Sequence, residues 1–99
     1  MTVKEMTMST VIEPTQAEVS WLRCQLDKGM FSDEVAVTYP PQGPWQKSVF
    51  VDAYLVEGTI GGIGRVRVKT IRRDGSLLAV IPSSYQDIVI VQAEDITTE

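Results

Sequence analysis

Histidine and asparagine are absent from this 99-residue chain, and cysteine occurs once, as Cys24. Those gaps remove whole classes of chemistry. Without histidine there is no Ser-His-Asp or Cys-His arrangement and no imidazole ligand, and one thiol cannot assemble a zinc site. A lone cysteine also excludes an internal disulfide framework and fits a reducing compartment. No apolar run approaches the roughly 20 residues of a membrane-spanning helix. The opening MTVKEMTMST holds Lys4 and Glu5 in place of the continuous apolar segment of a secretory signal. The expectation is a cytoplasmic protein without membrane contact, metal or cofactor.

Length and charge narrow this further. A chain of this size makes one domain that buries roughly two-thirds of the surface exposed when unfolded, so a disulfide is not required for stability. The net charge of −4 is unevenly distributed. Residues 61 to 75 hold five basic side chains against Asp74 alone, whereas residues 1 to 60 hold four against eight and residues 76 to 99 hold none against four. A basic strip inside an acidic chain acts only at short range, because beyond a Debye length of about 8 Å the surrounding field opposes it.

That strip lies in the most informative stretch, Gly64 to Ile81, GRVRVKTIRRDGSLLAVI. Asp74-Gly75 between two alternating runs is a strong hairpin signal, since a type I′ turn needs positive φ at both central residues. A two-residue loop sets Arg72 opposite Leu77, Thr70 opposite Ala79 and Val68 opposite Ile81. Side chains alternate along a strand. Val66 and Val68 therefore share the core face, and Arg65, Arg67 and Lys69 lie on the other side beside Ile71, Leu78 and Val80.

Along the rest of the chain, residues 1 to 14 show no period and are read as a flexible N-terminus, with a short extended piece at Thr10 to Ile12. Thr15-x-x-Glu18 matches a capping box and starts a predicted helix over Thr15 to Lys28, closed by Gly29. Val19, Leu22 and Leu26 form one apolar stripe of that helix, with Ala17, Trp21 and Cys24 nearly opposite. Ser32 to Tyr39 alternates as a strand and stops at Pro40-Pro41. Lys47 to Glu57 reads as a second strand with a bend near Asp52, with Val49, Val51, Ala53 and Leu55 on one face and Phe50, Asp52, Tyr54 and Val56 on the other. Residues 58 to 64 form a mobile connection, and Pro82 to Asp87 a tight turn. Ile88 to Val91, like Leu77 to Ile81, is apolar on both faces, so the helix or a second subunit has to cover the outside. The acidic tail Ala93 to Glu99 docks through Ile96.

Few residues suggest chemistry. Glycines at 58, 61, 62 and 64 match no phosphate-loop spacing, and a strand follows instead of a helix N-terminus. Asp33, Glu34, Asp52, Glu57 and Asp87 sit at strand ends and turns, where carboxylates are solvated or cap the backbone, so an enzyme is not expected. Arg65, Arg67 and Lys69 at spacing two form a cationic face suited to an acidic protein or, with Phe50 or Tyr54 for stacking, to single-stranded nucleic acid.

Ile81-Pro82-Ser83-Ser84-Tyr85 is similar to the Pro-Ser-Asn-Tyr stretch before the last strand of peptide-binding SH3 domains. The short strands, Pro-rich first loop and tight distal hairpin also resemble the SH3-like small barrel. That resemblance implies a groove for proline-rich peptides at Pro82 and Tyr85, with Tyr39 or Trp45 beside them. Where the family places its groove tryptophan, this chain has Arg65-Val66-Arg67. The combined expectation is an α+β domain over residues 15–97, an N-terminal helix packed on a five-stranded, mostly antiparallel bent sheet or SH3-like barrel. Its expected role is a non-catalytic interaction module or accessory subunit that binds a protein, an acidic one or a second copy of itself. Contact is made through Arg65, Arg67 and Lys69 or through Tyr39, Trp45 and Tyr85. A nucleic-acid-binding small barrel is the alternative.

Overall fold

A computed structural model of the chain describes residues 18 to 98. They form eight strands: β1 (Glu18–Lys28), β2 (Glu34–Tyr39), β3 (Lys47–Asp52), β4 (Val56–Gly58), β5 (Ile63–Arg73), β6 (Ser76–Val80), β7 (Ile88–Ile90) and β8 (Ile96–Thr98). Two single 3₁₀ turns, Ala53–Leu55 and Ala93–Asp95, precede β4 and β8. Every pairing is antiparallel, in the order β3-β2-β1-β5-β6-β7, with β8 on β1 and β4 on β5. The result is one curled sheet, a half-barrel compatible with a small barrel fold.

The predicted N-terminal helix is not there, and the α+β class falls with it. Glu18–Lys28 is the central strand, paired with β5 from Glu18↔Thr70 to Gln25↔Ile63. It also pairs with β2 at Gln25 to Lys28 and with β8 at Ser20 to Leu22. Both periods fit this stretch. Val19, Leu22 and Leu26 fall at helical spacing, but Ser20, Leu22, Cys24 and Leu26 alternate, and the latter set is buried. Three flanking ladders outweigh a modest helical preference that no amphipathic partner supports. Thr15, with the rest of the capping signal before Glu18 and the expected flexible N-terminus, lies outside the described residues. The sheet likewise holds eight described strands in place of five.

Elsewhere the alternation maps directly onto the sheet. Asp74 (φ 54°) and Gly75 (φ 82°) are both left-handed at the tip between β5 and β6, and Thr70↔Ala79 and Arg72↔Leu77 pair across it. The ladder ends at Lys69↔Val80, one step before Ile81. Lys47 to Glu57 breaks after Asp52, where the Ala53 amide donates to the Asp33 carbonyl at 2.8 Å. The Gly58–Gly64 connection is a hairpin loop hydrogen-bonded to β1. The Leu26 amide donates to Gly62 O (2.9 Å), and the Gly61 amide donates to Leu26 O (2.7 Å).

Inside the curl lie Leu22, Cys24, Leu26, Val35, Val37, Tyr39, Val51, Val66, Val68, Ala79, Ile81 and Val91, with Ile96 packed against them. Fully burying an aliphatic side chain of this kind contributes about 1.5–3 kcal/mol. Ser20 is also fully buried, and its hydroxyl has no hydrogen-bond partner among the described residues.

The curl turns the two ends of the sheet, β3 and β7, toward one another without joining them in a ladder. Side chains link them instead. Lys47 Nζ lies 3.2 Å from Asp87 Oδ1. Tyr39 donates its hydroxyl proton to Asp95 Oδ2 (2.7 Å) and accepts from the Gln92 amide (3.1 Å).

Candidate interaction surface

The solvent side of the sheet is built from the alternate positions that do not enter the core. On β5 these include Arg65, Arg67, Lys69 and Ile71, as the hairpin register requires, while Val66 and Val68 are buried. Trp21 on β1 faces Arg67 across the ladder, and two guanidinium groups flank its ring. Arg65 Cζ stands 4.4 Å and Arg67 Cζ 5.6 Å from the centroid. Each such contact is worth roughly 0.5–2 kcal/mol, depending on desolvation. Arg65 also donates through Nε (3.0 Å) and Nη2 (2.6 Å) to Glu57 Oε1 on β4, its cross-strand neighbour. Directly opposite, Arg23 lies near Asp95 Oδ1 at 3.6 Å, which offsets the repulsion of the Arg23↔Arg65 pair.

Arg65 and Arg67 thus hold down Trp21, and the outward cations farther along β5 border a different surface. Lys69 stands beside Val80, which stands beside Ile88; Ile71 stands beside Leu78, which stands beside Ile90. These rows give an apolar patch on the solvent side, with Ile88 61% and Ile90 69% exposed. No helix covers it. Next to it, where β5 changes partner from β4 at Val66 to β6 at Lys69, a recess of about 300 Å³ opens between Val19, Leu55, Lys69, Val80, Pro82 and Gln86.

Among the described residues, the strand at the edge of this patch has a ladder partner on one side alone. Ile81 N bonds Asp87 O (2.8 Å) and Val91 N bonds Leu77 O (2.9 Å), so hydrogen-bonded pairs alternate from 77↔91 to 81↔87. The N–H and C=O of Ile88 and Ile90 then point away from β6, on a strand with no charged residue.

The aromatic candidates separate. Tyr39 is buried, and burial, reinforced by Asp95, pushes its phenol up to about 12 although the Gln92 amide acts against this. Trp45 and Tyr85 are 87% and 90% exposed, on loops that the Lys47–Asp87 pair ties together. Asp87 is held below the usual carboxylate range first by the Ser83 hydroxyl (2.6 Å) and then by Lys47. Cys24 is fully buried, and desolvation pushes its thiol up to about 12, so it is not a nucleophile at neutral pH. The remaining carboxylates are dispersed, Glu34 Oε1 accepting from the Met30 amide at 3.0 Å. Among the described residues no three Cys, Asp or Glu side chains cluster to hold a metal ion, and no helix is long and apolar enough to cross a membrane.

No family model, no curated protein and no solved structure matches this chain.

Proposed function

We propose that this chain is a non-catalytic protein-interaction module, an adaptor or accessory subunit on an SH3-like small barrel, whose contact face is the solvent side of β5, β6 and β7. The observation that carries this reading is the pair of apolar rows, Lys69–Val80–Ile88 and Ile71–Leu78–Ile90, which face water on one side of the sheet. Contiguous apolar surface of this kind marks a site of association. The cations on β5 favour a partner with acidic groups beside its apolar contacts, and Trp45 and Tyr85 supply exposed rings near the sheet seam. Nucleic acid is less well served, because Arg65 is already engaged by Trp21 and Glu57.

The test is retention of host proteins by immobilised native chain and by an Ile90→Lys variant whose circular dichroism is unchanged. A protein held by the first and lost by the second supports the reading. Equal retention by both, or tight oligonucleotide binding that weakens steeply with salt, sinks it.

A further inference from the structure

The end of the sheet remote from the apolar rows carries a second exposed apolar surface. Met30 (76% exposed) and Phe31 (67%) form the tip between β1 and β2. Hydrogen bonds close this turn: the Gly29 amide donates to Glu34 O (3.2 Å) and the Glu34 amide to Phe31 O (3.1 Å), while Glu34 Oε1 accepts from the Met30 amide. Tyr54, 75% exposed, follows Ala53, whose amide donates to Asp33 O just after the tip, and Ile60, 48% exposed, precedes Gly61, whose amide donates to Leu26 O, while Gly62 O accepts from the Leu26 amide. Among the described residues next to this tip in the chain and its ladders, exposed Asp27, Asp33 and Asp52 outnumber Lys28.

Two apolar surfaces of opposite local charge therefore stand at opposite ends of β5. Ile63 pairs with Gln25 at the tip end, and Ile71 pairs with Leu78 in the apolar rows. Eight residues of strand at about 3.3 Å each put roughly 26 Å between them, so they cannot meet within one molecule. Between two molecules they complement each other in charge and in apolar character.

We infer that the chain associates with itself head to tail, the acidic-rimmed tip of one copy docking on the basic-edged rows of the next. This names the partner of the face described under Proposed function and rests on that reading. Opposite rims favour the unlike contact of tip with rows and disfavour tip on tip. Such a heterologous contact leaves one tip and one face free in every dimer, so it extends into a ring or an open chain.

Two exposed substitutions test it. Phe31→Lys spoils the tip and leaves the face; Ile90→Glu spoils the face and leaves the tip. By sedimentation or light scattering, the native chain gains mass beyond a dimer as concentration rises, and less so in high salt. Each variant alone stays monomeric, and an equimolar mixture gives a 1:1 dimer that grows no further. Met30→Lys and Ile88→Glu repeat the pattern, and the mixed dimer itself shows that both variants are folded. A native chain that remains monomeric at millimolar concentration overturns the inference, as does a mixture that fails to combine. So does a Phe31→Lys variant that dimerises alone, which would point to twofold pairing of the free β7 edges. Should the native chain be monomeric yet retain another protein through Ile90, only the choice of a second copy is lost and the interaction face stands.

Discussion

Replacing Tyr39 by phenylalanine removes one oxygen and tests what holds the two ends of the sheet together. The ring stays in the core, so little packing changes. Lost are the 2.7 Å bond to Asp95 and the 3.1 Å bond from the Gln92 amide. A neutral hydrogen bond contributes about 0.5–1.5 kcal/mol and one to a charged group about 1.5–3 kcal/mol. Asp95 keeps Arg23 at 3.6 Å, so its carboxylate is not stranded, which places the expected loss near the low end, about 2–3 kcal/mol in all. That is a large part of the about 5–15 kcal/mol that stabilises a typical domain. The assay is urea unfolding, read as a lower midpoint at unchanged slope. Hydrogen exchange at the Gln92 amide should quicken in parallel. The matching control is Lys47→Ala, which breaks a half-exposed, solvent-screened ion pair and should cost less than the loss of the Tyr39 hydroxyl. Should Tyr39→Phe cost less than its control, the hydroxyl is not what ties β2 to the segment after β7, and the reasoning fails.

Two further outcomes concern the β4–β5 ladder and Asp87. A Cβ at Gly64 would meet Leu26 Cδ1 and lie 2.5 Å from the Glu57 carbonyl oxygen, which the ladder holds in place, so Gly64→Ala should destabilise by about 1–3 kcal/mol in a thermal or urea melt. A neutral result would mean that β4 moves freely away from β5. Because Asp87 is held below its ordinary range in the folded chain, the unfolded state takes up its proton first on acidification. The stability it supplies is complete above the ordinary carboxylate pKa and is lost as pH falls through the folded value, so Asp87→Asn should flatten the acid limb of a stability–pH profile. An unchanged limb would contradict the role given to Ser83 and Lys47.

What the sequence discloses depends on how local each signal is. Asp74-Gly75 announces its own turn, and the alternation on either side assigns Val66 and Val68 to the core and the cations between them to the other face. The break at Asp52 and the docking of Ile96 are legible for the same reason. Glu18–Lys28 misleads because Leu22 and Leu26 satisfy both periods, and the choice is made by residues 35 to 38, 63 to 70 and 96 to 98 lying alongside. Tyr39 offers no local sign that its hydroxyl is engaged more than 50 residues away. Met30, Phe31, Tyr54 and Ile60 look like unrelated loop residues until hydrogen bonds to Glu34, Asp33 and Leu26 place their loops at one end of the sheet. The doubly apolar strands were readable as needing a cover; the absent helix leaves that need unmet within the described residues.

The position of β1 at the middle of the sheet also bears on how the protein is made. Its principal neighbour begins at Ile63 and another begins at Ile96, so during synthesis β1 waits, with Leu22 and Cys24 without these partners, until the residues from Ile63 onward have been made. Pairings this distant in sequence fold slowly, on the scale of milliseconds to seconds. Over that interval the uncovered strand is exposed to association with other unfinished chains, so expression at lower temperature should raise the soluble yield.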